Sequence, residues 1–573
     1  MRCSSTLPPA LRWISAGARA ALRFSFLALT AVAAGSALTA LPAQADVSLP
    51  GVFGDNMVLQ QGVKVPVWGW AEPGEEVTVT FRDKTAKATA DKDGKWRVDL
   101  DALQPLAEGE PFAVQGKNAL KFNNVVVGDV WVCSGQSNMQ WSLSASHNGK
   151  EEAASAKDDL LRVYMVPNKP SFVPLRDNPG KWQLCSPTSI GGFSGVGYFF
   201  GKELRKMLGA TTPVGLIGTY VGGTPAQAWT SYEGLKNGPG LEPYVTAYEN
   251  QLNDLSRAQK NYIRKLPDYV AELKTWSEGA GKNYAETLAR WEAEAASAKK
   301  EGQPLPPLPG PALPEPARTM LPEAKSNMPG SLYNGMVAPI IPYAIKGAIW
   351  YQGESNAGAA PQYAILFPRM ITDWRTRWGL GDFPFLFVQL ANFRKRSATP
   401  TNAEWPLLRE AQLRTLSLPN TGMAVIIDVG TGNDIHPPDK MDVGIRLSLP
   451  AKKLAYGKDI VYSGPIYDSM KVEDGKIRLS FKHIGGGLTI STSPWQQPAY
   501  PKPSTTELKG FAIAGEDKQF QWAEAKIEGD TIVVSSDKVP KPVAVRYGWD
   551  DDPEVNLYNK EGLPASPFRT DNW

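Results

Sequence analysis

Along residues 125–133 the chain is apolar at almost every position, and it turns polar at once over Ser134-Gly135-Gln136-Ser137-Asn138. An apolar run of strand length that ends in Gly, Ser and Asn predicts a buried central strand with a loop at its carboxyl end. The same pattern recurs at 215–220, 347–351, 385–390 and 423–428, and residues 197–208 read as a helix. Buried strands separated by helices predict a parallel sheet, over residues 123–454. On either side the pattern changes to short alternating runs. These fall at 63–69, 77–81 and 96–100 before the sheet, with turns at Pro73-Gly74 and Asp93-Gly94, and at 476–481 and 531–535 after it. They predict β-sandwich domains over 46–122 and 455–573. Pro66 has no N–H to give a ladder, so its strand is expected at an edge. Residues 232–330 interrupt the α/β rhythm and read as an insertion. A helical stretch over 244–300 is expected to break near Pro267 and at Gly279-Ala280-Gly281, and a proline-dense strut follows over 304–322. The pattern leaves open whether this block roofs the site, makes an oligomer contact or stands as a surface appendage.

Composition narrows the class. A chain of 573 residues with 42% hydrophobic and 10% aromatic content has the make-up of a globular protein of several domains. Residues 1–45 carry Arg2, Arg12, Arg19 and Arg23 and no acid, so subtracting those four charges from the total of +3 leaves the remainder at −1. A near-neutral body gives no case for nucleic acid. The arginines, the apolar run over 24–41 and Ala43-Gln44-Ala45 read as a cleavable secretory signal over 1–45. The expected location is therefore periplasmic or secreted, with no stable membrane anchor after cleavage. Cys3 leaves with the signal. Cys133 and Cys185 remain, enough for one bridge or two free thiols but not for a disulfide framework or a metal cluster.

The candidate chemistry starts from Ser137, which sits at the carboxyl end of a predicted central strand, where open α/β sheets carry their sites. A nucleophilic serine needs a base of near-neutral pKa, and the chain has three histidines, His147, His436 and His483. His147 reads as a surface residue and His483 lies in the C-terminal β region. His436 lies in a Gly-, Asn- and Asp-rich loop at another strand end, which makes it the candidate base. Asp434, two residues earlier, is the candidate acidic partner, with Asp428 and Asn433 as competitors. Acyl transfer also needs donors for an oxyanion. The backbone N–H groups of Ser137 and of Gly222 or Gly223 are candidates, and so are the amides of Gln352 and Asn356. Glu354 reads as a buried orienting carboxylate, and with Gln136 and Trp229 it is also a candidate substrate contact. No histidine pair has ligand spacing and no loop has nucleotide-binding form, so neither a metal nor another cofactor is expected.

Three blocks carry a resemblance. Gly128-Asp129-Val130-Trp131-Val132-Cys133-Ser134-Gly135-Gln136-Ser137-Asn138-Met139, residues 350–357 and Asp434-Ile435-His436-Pro437-Pro438-Asp439-Lys440 closely resemble those of sialate O-acetylesterases and related acetylesterases of the SGNH hydrolase superfamily. The resemblance extends to Val52-Phe53-Gly54-Asp55-Asn56-Met57-Val58-Leu59-Gln60 near the start. It implies a flavodoxin-like α/β/α fold, Ser137 as nucleophile, His436 as general base, Gly222 or Gly223 in the Gly block and residues 352–356 in the Asn block. Many SGNH enzymes place Asp three residues before the His, where this chain has Asn433. The third member could then be Asp434, or a backbone carbonyl could orient a Ser–His dyad. The implied substrate is an O-acetylated carbohydrate, either 9-O-acetylated sialic acid or an acetylated plant polysaccharide such as xylan or xyloglucan. A sialate carboxylate calls for Arg or Lys, and Arg394, Lys395 and Arg409 are the candidates. A non-catalytic carbohydrate-binding protein is the alternative from another class.

Overall fold

Alternation gives way to an unbroken apolar run within one strand. Ala119–Gly135, designated β1, is 17 residues long; positions up to Asn124 alternate between exposed and half-buried, and every position from Val125 onward is buried. Its first half pairs with Leu106–Gln115 and, in parallel, with Val58–Gln60. Its second half is the central strand of the α/β layer. The boundary expected between residues 122 and 123 therefore falls inside a strand, and one hydrophobic core runs across it, from Val77 and Phe112 to Trp131 and Val132. The computed structural model describes residues 46–310, 321–491 and 506–573. The expected signal over 1–45 lies outside the described residues.

The central sheet adds β2 (Asp158–Met165), β3 (Trp182–Cys185), β4 (Val214–Tyr220), β5 (Gly347–Tyr351), β6 (Phe385–Gln389) and β7 (Thr421–Val425). Their order is β7-β6-β5-β1-β4-β2-β3. All neighbours are parallel except the β2–β3 edge pair. The apolar runs behave as two-sided burial demands, since β4, β5 and β6 are buried at every position. The strand order reverses at β1, which lies between β4 and β5, so the crevice beyond its carboxyl end is the topological switch point. Register levels the three polar blocks there: Gly135 pairs with Tyr220 on one side and Tyr351 on the other.

Helices Gly195–Leu208 and Lys440–Leu454 pack together, as do Ala360–Trp378 and Glu404–Arg414. The Ser194 hydroxyl and the Asp439 carboxylate cap the starts of the first pair, accepting from Gly197 N and Asp442 N. After the short helix Tyr232–Lys236, the insertion carries two long helices, Glu242–Glu278 and Ala280–Glu301. The first does not break at Pro267, contrary to the sequence reading. This helix buries only Tyr248, so water can satisfy the carbonyl that a mid-helix proline leaves without a donor. The break falls at Gly279, as expected. Tyr248 ties the insertion down: its hydroxyl donates to Phe172 O at 2.9 Å and accepts from Asn334 Nδ2 at 3.1 Å. Of the proline strut, residues 311–320 lie outside the described residues.

The strand holding Pro66, Val65–Trp70, forms a two-stranded sheet with Lys95–Leu100, which leaves it an edge. After the helix Lys440–Leu454 the described residues form strands and no further helix. Ile466–Glu473, Lys476–Lys482, Thr531–Ser535 and Glu524–Glu528 form one antiparallel sheet, and Phe511–Ala514 with Ala544–Tyr547 centres a second, over a core of their own.

An aromatic cluster locks the helix Ala360–Trp378 to the sheet. Trp374 is fully buried and meets Trp350 of β5 edge-on at 6.1 Å and Phe385 of β6 at 5.9 Å. Trp374→Ala is expected to lower stability by about 3–5 kcal/mol, read as a fall in the urea midpoint with an unchanged m-value.

Candidate active site

β1 ends in a glycine because nothing larger fits. Gly135 has φ of +138°, and a Cβ there would lie 2.1 Å from Tyr351 O. The close approach lets Gln136 N donate to Tyr351 O at 3.0 Å, which turns the chain sharply into the short helix Ser137–Gln140. Ser137 is the first residue of that helix. Its N–H has no intrahelical acceptor by position. Its hydroxyl lies 2.8 Å from His436 Nε2.

His436 comes from the loop after β7. Asp434 shapes this loop: its carboxylate accepts the His436 backbone N–H at 2.8 Å and lies 4.0 Å from Nδ1, beyond hydrogen-bond reach. The Trp141 ring stacks on the imidazole at 5.3 Å and 18°. Burial is the largest influence on His436 and lowers its pKa; the nearby Lys440 charge lowers it further, against the opposing pull of Asp434. The imidazole is thus held in its neutral form, able to accept a proton, at neutral pH.

Of the competitors for the acidic position, Asp428 is engaged away from the imidazole, by Arg446 at 2.6 and 2.8 Å and by the Tyr558 hydroxyl at 2.8 Å. His147 reaches the neighbourhood through its backbone, donating to Pro438 O at 2.9 Å. His483 lies in the C-terminal β region beside Tyr462.

Gly222 lies against the serine: a Cβ there would be 3.4 Å from Ser137 Cβ. Its N–H donates to Gln140 Oε1 at 2.7 Å, so it already serves a carbonyl-type oxygen beside Ser137. Gly223 takes the left-handed φ of +70° that the turn requires. Gln352 and Asn356 are engaged with the loop that follows. Gln352 Nε2 donates to Thr224 O at 3.3 Å and to Asn356 Oδ1 at 2.7 Å. Asn356 Oδ1 also accepts from Ala226 N at 2.9 Å, while its Nδ2 donates to Gln227 Oε1 at 3.0 Å. Both amides therefore hold the Gly222-Gly223 loop against β5. Gln136 is buried and accepts from Ser355 N at 3.2 Å. Trp229 is fully buried, donates to Thr224 Oγ1 at 3.0 Å and meets Trp350 edge-on, which takes its ring out of a substrate's reach. Glu354 accepts from Asn138 Nδ2 at 2.6 Å, and burial raises its pKa.

Four further residues of the site carried no role in the sequence reading: Asn138, Gln140, Trp141 and Lys440. All lie inside the motif blocks or beside them. Lys440 had the readable signal, because it opens a helix, where the macrodipole disfavours a cation. Cys133 and Cys185 are separate buried thiols, and burial pushes Cys185 up to about 12. Among the described residues no group of His, Cys, Asp and Glu could hold a metal, and no helix is long and apolar enough to cross a membrane.

A serine hydroxyl hydrogen-bonded to a neutral imidazole at the switch point of a parallel sheet has the geometry that nucleophilic catalysis at a carbonyl requires. Comparison with known proteins gives the family. The carbohydrate esterase family described as sialic acid-specific acetylesterase matches residues 127–299 and 321–444. The chain belongs to that family and is a carboxylic ester hydrolase. It is 27% identical to the sialate O-acetylesterase of Mus musculus over 90% of this chain and 92% of the relative. Against the human sialate O-acetylesterase it is 27% identical over 90% of each chain. Among solved structures it is similar to XAC1771, described as a novel carbohydrate acetylesterase from Xanthomonas citri. The TM-score is 0.71 with 35% identity, over 92% of this chain and 100% of that one.

Two outcomes follow from the geometry. Asp428→Asn removes the closer of two carboxylates from the buried Arg446 guanidinium and leaves Asp442 at 3.6 Å; it is expected to cost about 1–3 kcal/mol of stability in chemical denaturation, with activity per folded molecule nearly unchanged. With His436 as the base, its depressed pKa is expected to set the acid limb of kcat/KM: activity should be held as pH falls through the ordinary histidine value of about 6.5 and lost below it, in a pH–rate profile on an acetyl ester.

Proposed function

We propose that this esterase removes O-acetyl groups from carbohydrate by a Ser137 acyl-enzyme route. The observation that carries the reading is the 2.8 Å contact between Ser137 Oγ and His436 Nε2. In this mechanism His436 takes the serine proton as Ser137 attacks the acetyl carbonyl. The C–O bond to the sugar then breaks, and His436 returns the proton to the sugar hydroxyl. Water hydrolyses the acetyl-enzyme by the same relay, releasing acetate. The N–H groups of Ser137 and Gly222 stabilise the oxyanion, with Gln140 moving aside from Gly222 as substrate enters. Gln352 and Asn356 act on that hole by fixing its loop. Asp434 is the acidic partner. Its 4.0 Å separation from Nδ1 fits the long contacts of unliganded enzymes that tighten in the complex.

The substrate class we propose is O-acetylated sialic acid, the class in the names of the family and of the mammalian relatives. A second reading, a neutral acetylated plant polysaccharide, rests on a specific observation. Two of the three cations read as partners for a sialate carboxylate are engaged. Arg409 is fully buried and spends its donors on the carbonyls of Leu390, Ala391, Asp550 and Asp551. Arg394 pairs with Asp551 at 3.2 Å and lies over the Trp405 ring. The same reading takes the α/β layer as a flavodoxin-like SGNH domain and the flanking β regions as sandwich-type domains. It also takes residues 1–45 as an export signal, removed to give a periplasmic or secreted protein.

Acetate release from acetylated sialosides, xylan and xyloglucan, measured side by side, separates the two substrates. Ser137→Ala is expected to abolish release on all of them, and Asp434→Asn to lower kcat by about tenfold or more. A Ser137→Ala protein of wild-type activity would sink the mechanism. Unchanged kcat in Asp434→Asn would leave a Ser–His dyad.

A further inference from the structure

Lys440 is out of place twice. It is the first residue of the helix Lys440–Leu454, at the positive end of the macrodipole, and it is fully buried. Burying an ammonium is costly unless its donors are satisfied. Its Nζ donates to Asn138 Oδ1 at 2.6 Å and lies 5.7 Å from the centre of the Trp141 ring and 5.5 Å from that of Tyr351. On the far side of Asn138, Nδ2 donates to Glu354 Oε1 at 2.6 Å and to Ile435 O at 2.9 Å.

Chemistry fixes which way the Asn138 amide faces. An ammonium can only donate and a carboxylate only accept, so Oδ1 must face Lys440 and the NH2 group must face Glu354 and Ile435. Asn138 follows the nucleophile in sequence, and Ile435 precedes the base. The Lys440–Asn138–Glu354 row therefore ties the backbone next to Ser137 to the backbone next to His436. Lys440 also lies near the Trp141 ring, and that ring stacks on the imidazole.

We propose that Lys440 is a positioning residue for the Ser137–His436 pair: it orients the Asn138 amide that clamps the His436 loop, and it sets a positive charge beside the Trp141 ring on which the imidazole stacks. This rests on the esterase reading of that pair. The charged groups that bear on the row are few. Asp434 and Lys440 act on His436. Glu354, Asp439 and Asp434 act on Lys440. Burial pushes Lys440 down to about 7, against the upward pull of those three carboxylates. Glu354 joins the row through Oε1, which accepts from Asn138 Nδ2. Lys440 reaches no solvent, so its loss should act on kcat and leave KM nearly unchanged.

The test is Lys440→Met, with Lys440→Met/Glu354→Gln beside it so that no lone carboxylate stays buried. Two readouts are taken. The first is the pH profile of kcat/KM on an acetyl ester. The second is the His436 titration midpoint in a Ser137→Ala background, from proteins with 13Cε1-labelled histidine. The chain has three histidines, so His436→Gln assigns the signal. Removing the cation should raise the His436 midpoint and move the acid limb up by about half a pH unit or more. Loosening the clamp should lower kcat by about tenfold or more with KM within about threefold. Unchanged His436 titration, or unchanged kcat, in either folded variant overturns the proposal. The titration needs no turnover, so it stays readable even if the wild-type protein hydrolyses none of the esters.

Discussion

The site depends on one contact between residues 299 positions apart, the Ser137 hydroxyl on His436 Nε2. No local preference can bring such groups together. The parallel sheet does so by levelling strand ends: β1 and β5 stop in register at Gly135 and Tyr351, and the next strands outward carry the chain to β7 and its loop. A one-residue slip of β1 would turn Ser137 away and put its apolar side chains on the wrong faces, so burial on both sides of the strand guards the site's register as well as the core's. The C-terminal β region buttresses the same loop. Tyr558 holds Asp428 at the loop's start, and Ser566 holds Gln389 at the end of β6.

Buried cations serve as staples around this edge, and they fall into two kinds. Arg162 and Arg409 bind backbone carbonyls, which fixes loops without needing a counter-charge. Arg446 binds the Asp428 carboxylate and Val425 O, which pins β7 to the helix Lys440–Leu454. Lys440 fits neither kind. Its hydrogen-bond partner is a side-chain amide, and that amide is shared with a carboxylate and with the loop that bears the base. The guanidinium staples fix loops and a strand of the scaffold. The lysine row holds the surroundings of one reacting group to those of the other.

The strands and the pairing of Ser137 with His436 were legible in the sequence for a physical reason. A strand buried on both faces reads as an uninterrupted apolar run, and glycine with serine ends it visibly; β5 falls where its pattern placed it, and β4 begins one residue earlier. Three histidines in 573 residues left little choice of base. What was not legible depends on partners distant in sequence. The change of pattern at residue 123 reads as a domain boundary, but a strand that passes from a half-exposed sheet into a buried one changes pattern without stopping. Pro267 reads as a break, yet exposure lets its helix continue. Gln352, Asn356 and Trp229 sit in the right blocks, and only their partners reveal that the amides brace a loop and the indole fills the core.

The same dependence on distant partners bears on the acidic position. In a Ser-His-Asp arrangement the carboxylate orients the imidazole through Nδ1 and stabilises its charged form. Here orientation is already divided among other contacts: the Asp434 carboxylate holds the His436 N–H, Asn138 holds the preceding carbonyl, and Trp141 lies flat on the ring. With the ring fixed by these three, a carboxylate 4.0 Å from Nδ1 is left with the electrostatic half of the task. That half needs proximity more than alignment, because charge stabilisation falls off slowly with distance while a hydrogen bond does not. A loop with Asp two residues before the histidine, instead of three, can meet such a requirement, provided the clamp from the serine side supplies the orientation.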